Sequence, residues 1–227
     1  MGYIVDQINE FTSHNAEVVI LNISHAYNIA ADYREFTQSD WERFFSADLD
    51  RLNNLYRASH PNEDLTRLSI NTLTNNGTQA AVILRFNCNQ NDSSNPVDLT
   101  VSNRHGAGYF YYNSFPLFDE YANTDTPKAV IDNQITKMGQ KRDNASPKEG
   151  EWFMLGFALT QTETWDVVLG LYPPLLDWAR HSMNPRVGEL YDRCWGRCFP
   201  KIISLDCVEG TDALAMCVAI NESQRSK

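Results

Sequence analysis

The sequence predicts an α/β fold with a mostly parallel sheet, read as the later part of a (β/α) barrel that lacks about its first three strands. Three observations predict it. Short runs apolar on both faces alternate with amphipathic helices, as in parallel sheets covered by helices. About five such strands are present across 227 residues, whereas closing a barrel takes about eight. A helix precedes the first strand, and no strand is followed by the Gly-rich turn GxGxxG of an open dinucleotide-binding sheet. Residues 1–227 therefore read as the C-terminal portion of one barrel domain.

The elements follow in order. Ile4, Ile8 and Phe11 fall at i, i+4 and i+7 and predict one face of a short helix. The β-branched run from Glu17 to Ser24 predicts the first strand. Ser39, Asp40, Trp41 and Glu42 read as a capping box opening a helix to about Tyr56, with Trp41, Phe44, Phe45, Leu49 and Leu52 at helical spacing. Leu65–Leu73 predicts a second helical segment, stopped by Asn75, Asn76 and Gly77. Ala80–Phe86 is the next apolar strand, followed by a polar loop over Asn87–Pro96. Tyr109–Tyr112 is a short aromatic strand. Thr126–Gln140 is a helix facing inward with Val130, Ile131, Ile135 and Met138, and Lys141–Glu149 is a charged loop. Trp152–Thr160 is a strand. Pro173 and Pro174 mark the start of a helix at Leu175, and Val187–Trp195 adds one or two turns. Ile202–Val208 is the last strand and Asp212–Ile220 the closing helix.

The composition, 42% hydrophobic and 21% charged, is that of an ordinary globular chain. No apolar run approaches the ~20 residues that span a bilayer. A net charge of −10 and a pI near 4.9 argue against nucleic acid as a partner and against broad adhesion to anionic lipid. Cys88, Cys194, Cys198, Cys207 and Cys217 lack the paired spacing of a zinc site. Cys194 and Cys198 fit either a short disulfide or two buried thiols. Sequons at Asn22, Asn76, Asn91, Asn144 and Asn221 lean toward a secreted, extracellular setting, although Asn22 falls inside a strand expected to be buried.

In a barrel the chemistry sits at the C-terminal ends of the strands. That rule selects His25 after the first strand, Arg85 near the end of the second, Asp119 and Tyr121 after the third, and Asp206 within the last. Together they predict a polar mouth for an anionic, hydroxyl-rich ligand: Arg85 for phosphate, Asp119 for hydroxyl groups, Tyr121 for a ring face. Each has a structural alternative. A histidine ending a strand is commonly a satisfied structural residue, and Arg85 could serve as an internal ion-pair partner. Asp206 stands out because a carboxylate in a buried strand is costly unless paired. His105-Gly106 precedes the aromatic strand and so falls at the wrong end for catalysis. Neither a GxSxG elbow nor an HExxH motif is present.

The segment Glu17-Val-Val-Ile-Leu-Asn-Ile-Ser-His25 resembles the NEVVILDFSH segment of the phosphatidylinositol-specific phospholipase C X domain and its fungal PLC-like phosphodiesterase relatives. Phe118–Thr124, followed by Asp132-Asn-Gln134, resembles their YANT…DQ stretch. Trp152–Thr162 is similar to the seventh barrel strand, Lys201–Val208 to the last strand with its embedded Asp, and Cys217–Asn221 to the family ending. The order of these segments is the family's order over most of the chain.

The resemblance implies a TIM-type barrel that cleaves phosphodiesters with two histidines, one taking a proton from the attacking hydroxyl and one protonating the leaving oxygen. It assigns Asp206 the role of orienting the base histidine, and His25, Arg85, Asp119 and Tyr121 the lining of the substrate pocket. It implies a phosphoinositide or other phosphodiester as substrate and a transient membrane surface as partner. It implies no resident cofactor and leaves Ca2+ dependence open. The family's THD, D-x-R and HG motifs, which carry both histidines and the charge stabiliser, match no segment of this sequence. The expectation is therefore a phosphodiester site without its proton-transfer residues, with a non-catalytic binding relative or a truncated fragment as the alternatives.

Overall fold

The computed structural model describes residues 2–24, 26–87, 97–143, 152–160, 175–194, 200–209 and 211–225. The chain forms two compact units, Met1–Pro116 and Leu117–Lys227. All five expected strands are present, and three very short ones join them.

The first unit opens with helix α1, Gly2–His14, which leads into strand β1, Val18–Ile23. The helix buries Val5 and Thr12 and packs Ile8 on the core, while Ile4 and Phe11 each stay 46% exposed. The expected inward stripe is thus rotated by one residue. A threonine can face inward because its hydroxyl donates to the Ile8 carbonyl one turn back at 2.8 Å.

Strand β1 is followed by a hairpin of two-residue strands, β2 (Tyr27–Asn28) and β3 (Arg34–Glu35). Strands this short carry no readable periodicity. Helix α2 spans Gln38–Ala47, and its cap is Thr37, two residues before the expected Ser39. Thr37 Oγ1 accepts from the Asp40 amide, and Asp40 Oδ2 accepts from the Thr37 amide, which closes a reciprocal box. The expected continuation to Tyr56 does not form. A 3-10 turn over Leu49–Arg51 ends the helix, Leu52 is extended, and Asn54 adopts φ 59°. The chain then runs beside the next strand, with the Tyr56 amide donating to the Val82 carbonyl at 2.9 Å.

The predicted Leu65–Leu73 segment divides into a 3-10 turn, Leu65–Arg67, and the single-turn helix α3, Ile70–Leu73. Asn75, Asn76 and Gly77 all take left-handed angles (φ 48°, 58° and 76°), as residues suited to a helix stop do. Strand β4, Ala81–Phe86, is buried at every position and pairs parallel with β1 from Val18↔Ala81 to Ile23↔Phe86. Strand β5, Tyr109–Tyr111, pairs parallel on its other side. One face of this sheet packs an aromatic core: Trp41, Phe45, Phe86 and Tyr109 meet at ring-centroid distances of 5.3–6.0 Å.

The second unit begins with strand β6, Leu117–Phe118, too short to be read from the sequence. Helix α4, Pro127–Asp143, buries Val130, Ile131 and Met138 and packs Ile135 on the same cluster, the face that the sequence predicts. Strand β7, Trp152–Phe157, pairs parallel with β6 and with strand β8, Ile202–Leu205. Helix α5, Leu175–Trp178, runs through a π-helical turn (Ala179–Met183) and a 3-10 turn (Asn184–Arg186) into α6, Val187–Cys194. Helix α7, Ala213–Arg225, closes the chain. Pro173, Pro174, Lys141–Glu149 apart from its first three residues, and the loop after Asn87 lie outside the described residues.

The fold is mixed α/β with parallel sheets, as predicted, and the described residues form no closed barrel. Instead they make two three-stranded parallel sheets, β1-β4-β5 and β6-β7-β8, each laid down in chain order.

Candidate functional site

In the first unit the predicted residue Arg85 occupies the penultimate position of β4 and is 2% exposed. Successive side chains of a strand alternate between faces, so Arg85 points away from the Val82, Leu84 and Phe86 face that packs the aromatic core. Register places it between Asn22 of β1 and Phe110 of β5. Its Nη1 donates to Asn22 Oδ1 at 2.6 Å, and its Nε donates to the Phe115 carbonyl at 2.8 Å. Asn22 is exposed rather than buried, contrary to the expectation for that strand. The layer is therefore a cation inside the sheet whose amide partner meets solvent. His25 lies outside the described residues.

Other polar groups of this unit are tied into its structure. The Arg104 guanidinium reaches Glu42 at 2.6 Å and Asp50 at 2.8 Å, and sits 5.1 Å from the centre of the Phe45 ring. The Tyr109 hydroxyl donates to Asp50 at 2.5 Å. Hydrogen bonding from Arg104 holds the Asp50 carboxyl below the usual carboxylate range, and burial together with Asp50 pushes the Tyr109 phenol up. Asp40 accepts from Thr37, Asn28, Arg34 and Arg43. Those bonds, from Thr37 above all, hold its carboxyl far below its ordinary value. His105 precedes β5, meets the Tyr111 ring edge-on at a centroid distance of 4.6 Å, and has a buried Nε2 with no partner among the described residues. Burial pushes its pKa down. A cavity of about 230 Å³ opens beside Asn54–Arg57, Gln79 and Ala80, at the N-terminal end of β4 and so away from the end where parallel sheets place their ligands.

In the second unit Asp119 follows β6, a strand additional to the aromatic one it was expected to follow. Tyr121 is 45% exposed. Asp206 lies one residue beyond β8 and is half-buried, so it does not carry the cost of a carboxylate within a buried strand. The strand ends early because Cys207 turns to φ 52°. Among the described residues the side chains of Asp119, Tyr121 and Asp206 have no hydrogen-bond or ion-pair partner. The two carboxylates thus stand at the C-terminal ends of the outer strands of one sheet, β6 and β8.

Two buried amides that composition did not single out shape these strand ends. Asn184, 4% exposed, donates from Nδ2 to the carbonyls of both Asp206 and Cys207 at 2.9 Å. Its Oδ1 is buried without a partner among the described residues. Gln134, fully buried on α4, donates to the Glu120 carbonyl at 2.9 Å and accepts from the Gly156 amide of β7 at 3.0 Å. Gln134 belongs to the Asp132-Asn-Gln134 stretch of the resemblance, where it carried no role, and nothing in the sequence marked Asn184. The Cys194–Cys198 pairing lies outside the described residues, and Cys207 and Cys217 are free thiols. Among the described residues no group of three or more His, Cys, Asp and Glu side chains is placed to hold a metal ion. None of their helices is long and apolar enough to cross a membrane.

Comparison with the models of known families, with curated proteins and with solved structures gave no match.

Proposed function

We propose that this chain belongs with the TIM-type phosphodiester hydrolases of the phosphatidylinositol-specific phospholipase C X-domain type, and that it supplies groups for binding the substrate. The observation that carries the reading is Arg85, a guanidinium held inside a parallel sheet one residue from the C-terminal end of its strand, with exposed Asn22 beside it. Parallel α/β folds place their chemistry at that end, and a guanidinium fits the oxygens of a phosphodiester. The winding of the sheets supports the reading as well. Each runs in chain order, as successive strands of a barrel do, whereas a doubly wound sheet reverses at its switch point.

In this reading Arg85 takes phosphate charge, and the resemblance gives His25 a substrate-binding role. Asp119 accepts a ligand hydroxyl, Tyr121 offers a ring face, and Asp206 orients a histidine base. No histidine of this chain matches the family's proton-transfer positions, and His105-Gly106 precedes β5 instead of following a strand. The chain therefore binds a phosphodiester headgroup without turning it over.

Titration with myo-inositol 1-phosphate tests the binding half of the reading. Arg85→Lys keeps the charge but loses the planar fork, and is expected to weaken binding about tenfold. Unchanged affinity in a variant that melts like the parent removes Arg85 from the site. Incubation with phosphatidylinositol in mixed micelles tests the other half: no inositol phosphate is expected to appear. Cleavage that Asp206→Ala abolishes would overturn it.

A further inference from the structure

We infer that Gln134 and Gly156 are positioning residues for Tyr121, setting its ring as one wall of a ligand subsite on the second unit. The inference rests on the proposed role of Tyr121 in contacting substrate. It starts from a gap in the sheet. Strand β6 is only two residues long and pairs with β7 at Trp152 and Phe153 alone. The Phe153 carbonyl points to the β8 side, where it accepts from the Lys201 amide. Backbone groups of a strand alternate sides, so Gly156, an odd number of residues on, points its amide to the side that β6 has already left. A buried amide without an acceptor would be costly. The Gln134 side chain supplies the acceptor at 3.0 Å, in the place of the missing strand. Its Nε2 uses its hydrogens on the Glu120 carbonyl and on Asn133 Oδ1, so both ends of the buried amide are satisfied.

The same gap receives the Tyr121 ring. A Cβ on Gly156 would lie 3.1 Å from Tyr121 Cδ1, closer than ordinary packing allows, so the bare glycine makes room for the ring edge. One turn along α4, Lys137 donates to the Tyr121 carbonyl at 2.9 Å and pairs with the Glu120 carboxylate at 3.5 Å. Residues 120 and 121 are thus gripped by the helix, while the ring rests against β7 and stays 45% exposed. A side chain merely filling the core has no need of such exposure. An aromatic face held at a parallel strand's C-terminal end by a buried amide and a glycine suits stacking on the apolar face of a polyol ring.

The test uses the full chain labelled with 3-fluorotyrosine, with the Tyr121 fluorine resonance assigned by its loss in Tyr121→Phe. Gly156→Ala leaves Gln134 in place, and Lys137→Met keeps an unbranched side chain on α4 while removing its bonds to residues 120 and 121, so both variants are expected to fold. Each is expected to shift or broaden the Tyr121 resonance and leave the other tyrosine resonances in place. Gly156→Ala is further expected to weaken myo-inositol 1-phosphate binding about tenfold. A Tyr121 resonance unchanged in Gly156→Ala, Lys137→Met and Gln134→Leu overturns the positioning role. A resonance that moves in these variants but does not respond to myo-inositol 1-phosphate in the parent protein overturns the substrate role of Tyr121 and leaves the positioning intact.

Discussion

The two units are built alike and spend their polar residues differently. Each has three parallel strands in chain order, with helices in the connections except between β4 and β5, where the described residues hold only a 3-10 turn. In the first unit charged groups are absorbed by the protein. Arg104 bridges α2, the turn after it and the approach to β5, and Asp40 gathers four donors at the start of α2. In the second unit Asp119, Tyr121 and Asp206 stand at strand ends without side-chain partners among the described residues, and the buried amides Gln134 and Asn184 hold the backbone around them. A polar residue at a strand end is therefore ambiguous by itself. Whether it supports the fold or faces a ligand depends on whether neighbouring elements bring it a partner.

That contrast breaks most easily at the aromatic core of the first unit. Trp41→Ala is expected to cost about 3–5 kcal/mol in urea unfolding, because a fully buried indole leaves a cavity among Phe45, Phe86 and Phe36. Trp41→Phe is expected to cost under about 1.5 kcal/mol, since it also removes an indole N–H with no acceptor among the described residues. Equal losses in the two variants would show that the N–H is satisfied in solution.

The next largest effect is expected at the Arg104 cluster. Arg104→Leu takes the cation away from Asp50, which keeps the Tyr109 hydroxyl, and from Glu42, which keeps the Gln38 amide, and is expected to cost about 2 kcal/mol, less than a fully buried pair because Asp50 is half exposed. Its pH dependence has a definite sign. Arg104 lowers the folded-state pKa of Asp50, so the unfolded chain takes up that proton first as pH falls. The stabilisation is present above the unfolded carboxylate pKa and is lost as pH drops through the folded value. In Arg104→Leu that part of the acid slope is expected to disappear, and an unchanged slope would place the coupling elsewhere.

The smallest effects sharpen the comparison. Asp119→Ala and Asp206→Ala are expected to change stability by no more than about 0.5 kcal/mol, because neither side chain holds another of the described residues in place. A loss of 2 kcal/mol or more, by the same urea measurement, would make these carboxylates structural and bring the second unit into line with the first.

Much of this architecture is legible in the residues. The apolar runs Val18–Ile23 and Ala81–Phe86 are strands because β-branched and aromatic side chains fit a sheet covered on both faces, and Val130, Ile131, Ile135 and Met138 keep the helical period that turns them inward. The misses have local causes. Strand β6 and the hairpin are two residues per strand, too short for any period. The helix from Gln38 stops at Ala47 because Asp48 leaves helical angles and a 3-10 turn over Leu49–Arg51 follows. The stripe on α1 rotates because Thr12 answers its own hydroxyl on Ile8.

For the candidate site, the sequence by itself determined a cation near the end of β4, because that apolar run announces its own end. It put Asp119 and Tyr121 after the aromatic strand and Asp206 within the last one, whereas in the structure they follow the two-residue β6 and the shortened β8. Only the tertiary structure decided their partners. It put Asn22 and the Phe115 carbonyl on Arg85, 63 and 30 residues away in the chain, and it set Gln134 against Gly156 where β6 falls short. Periodicity reports which face a residue takes within its own element, and partners drawn from distant segments leave no trace in it.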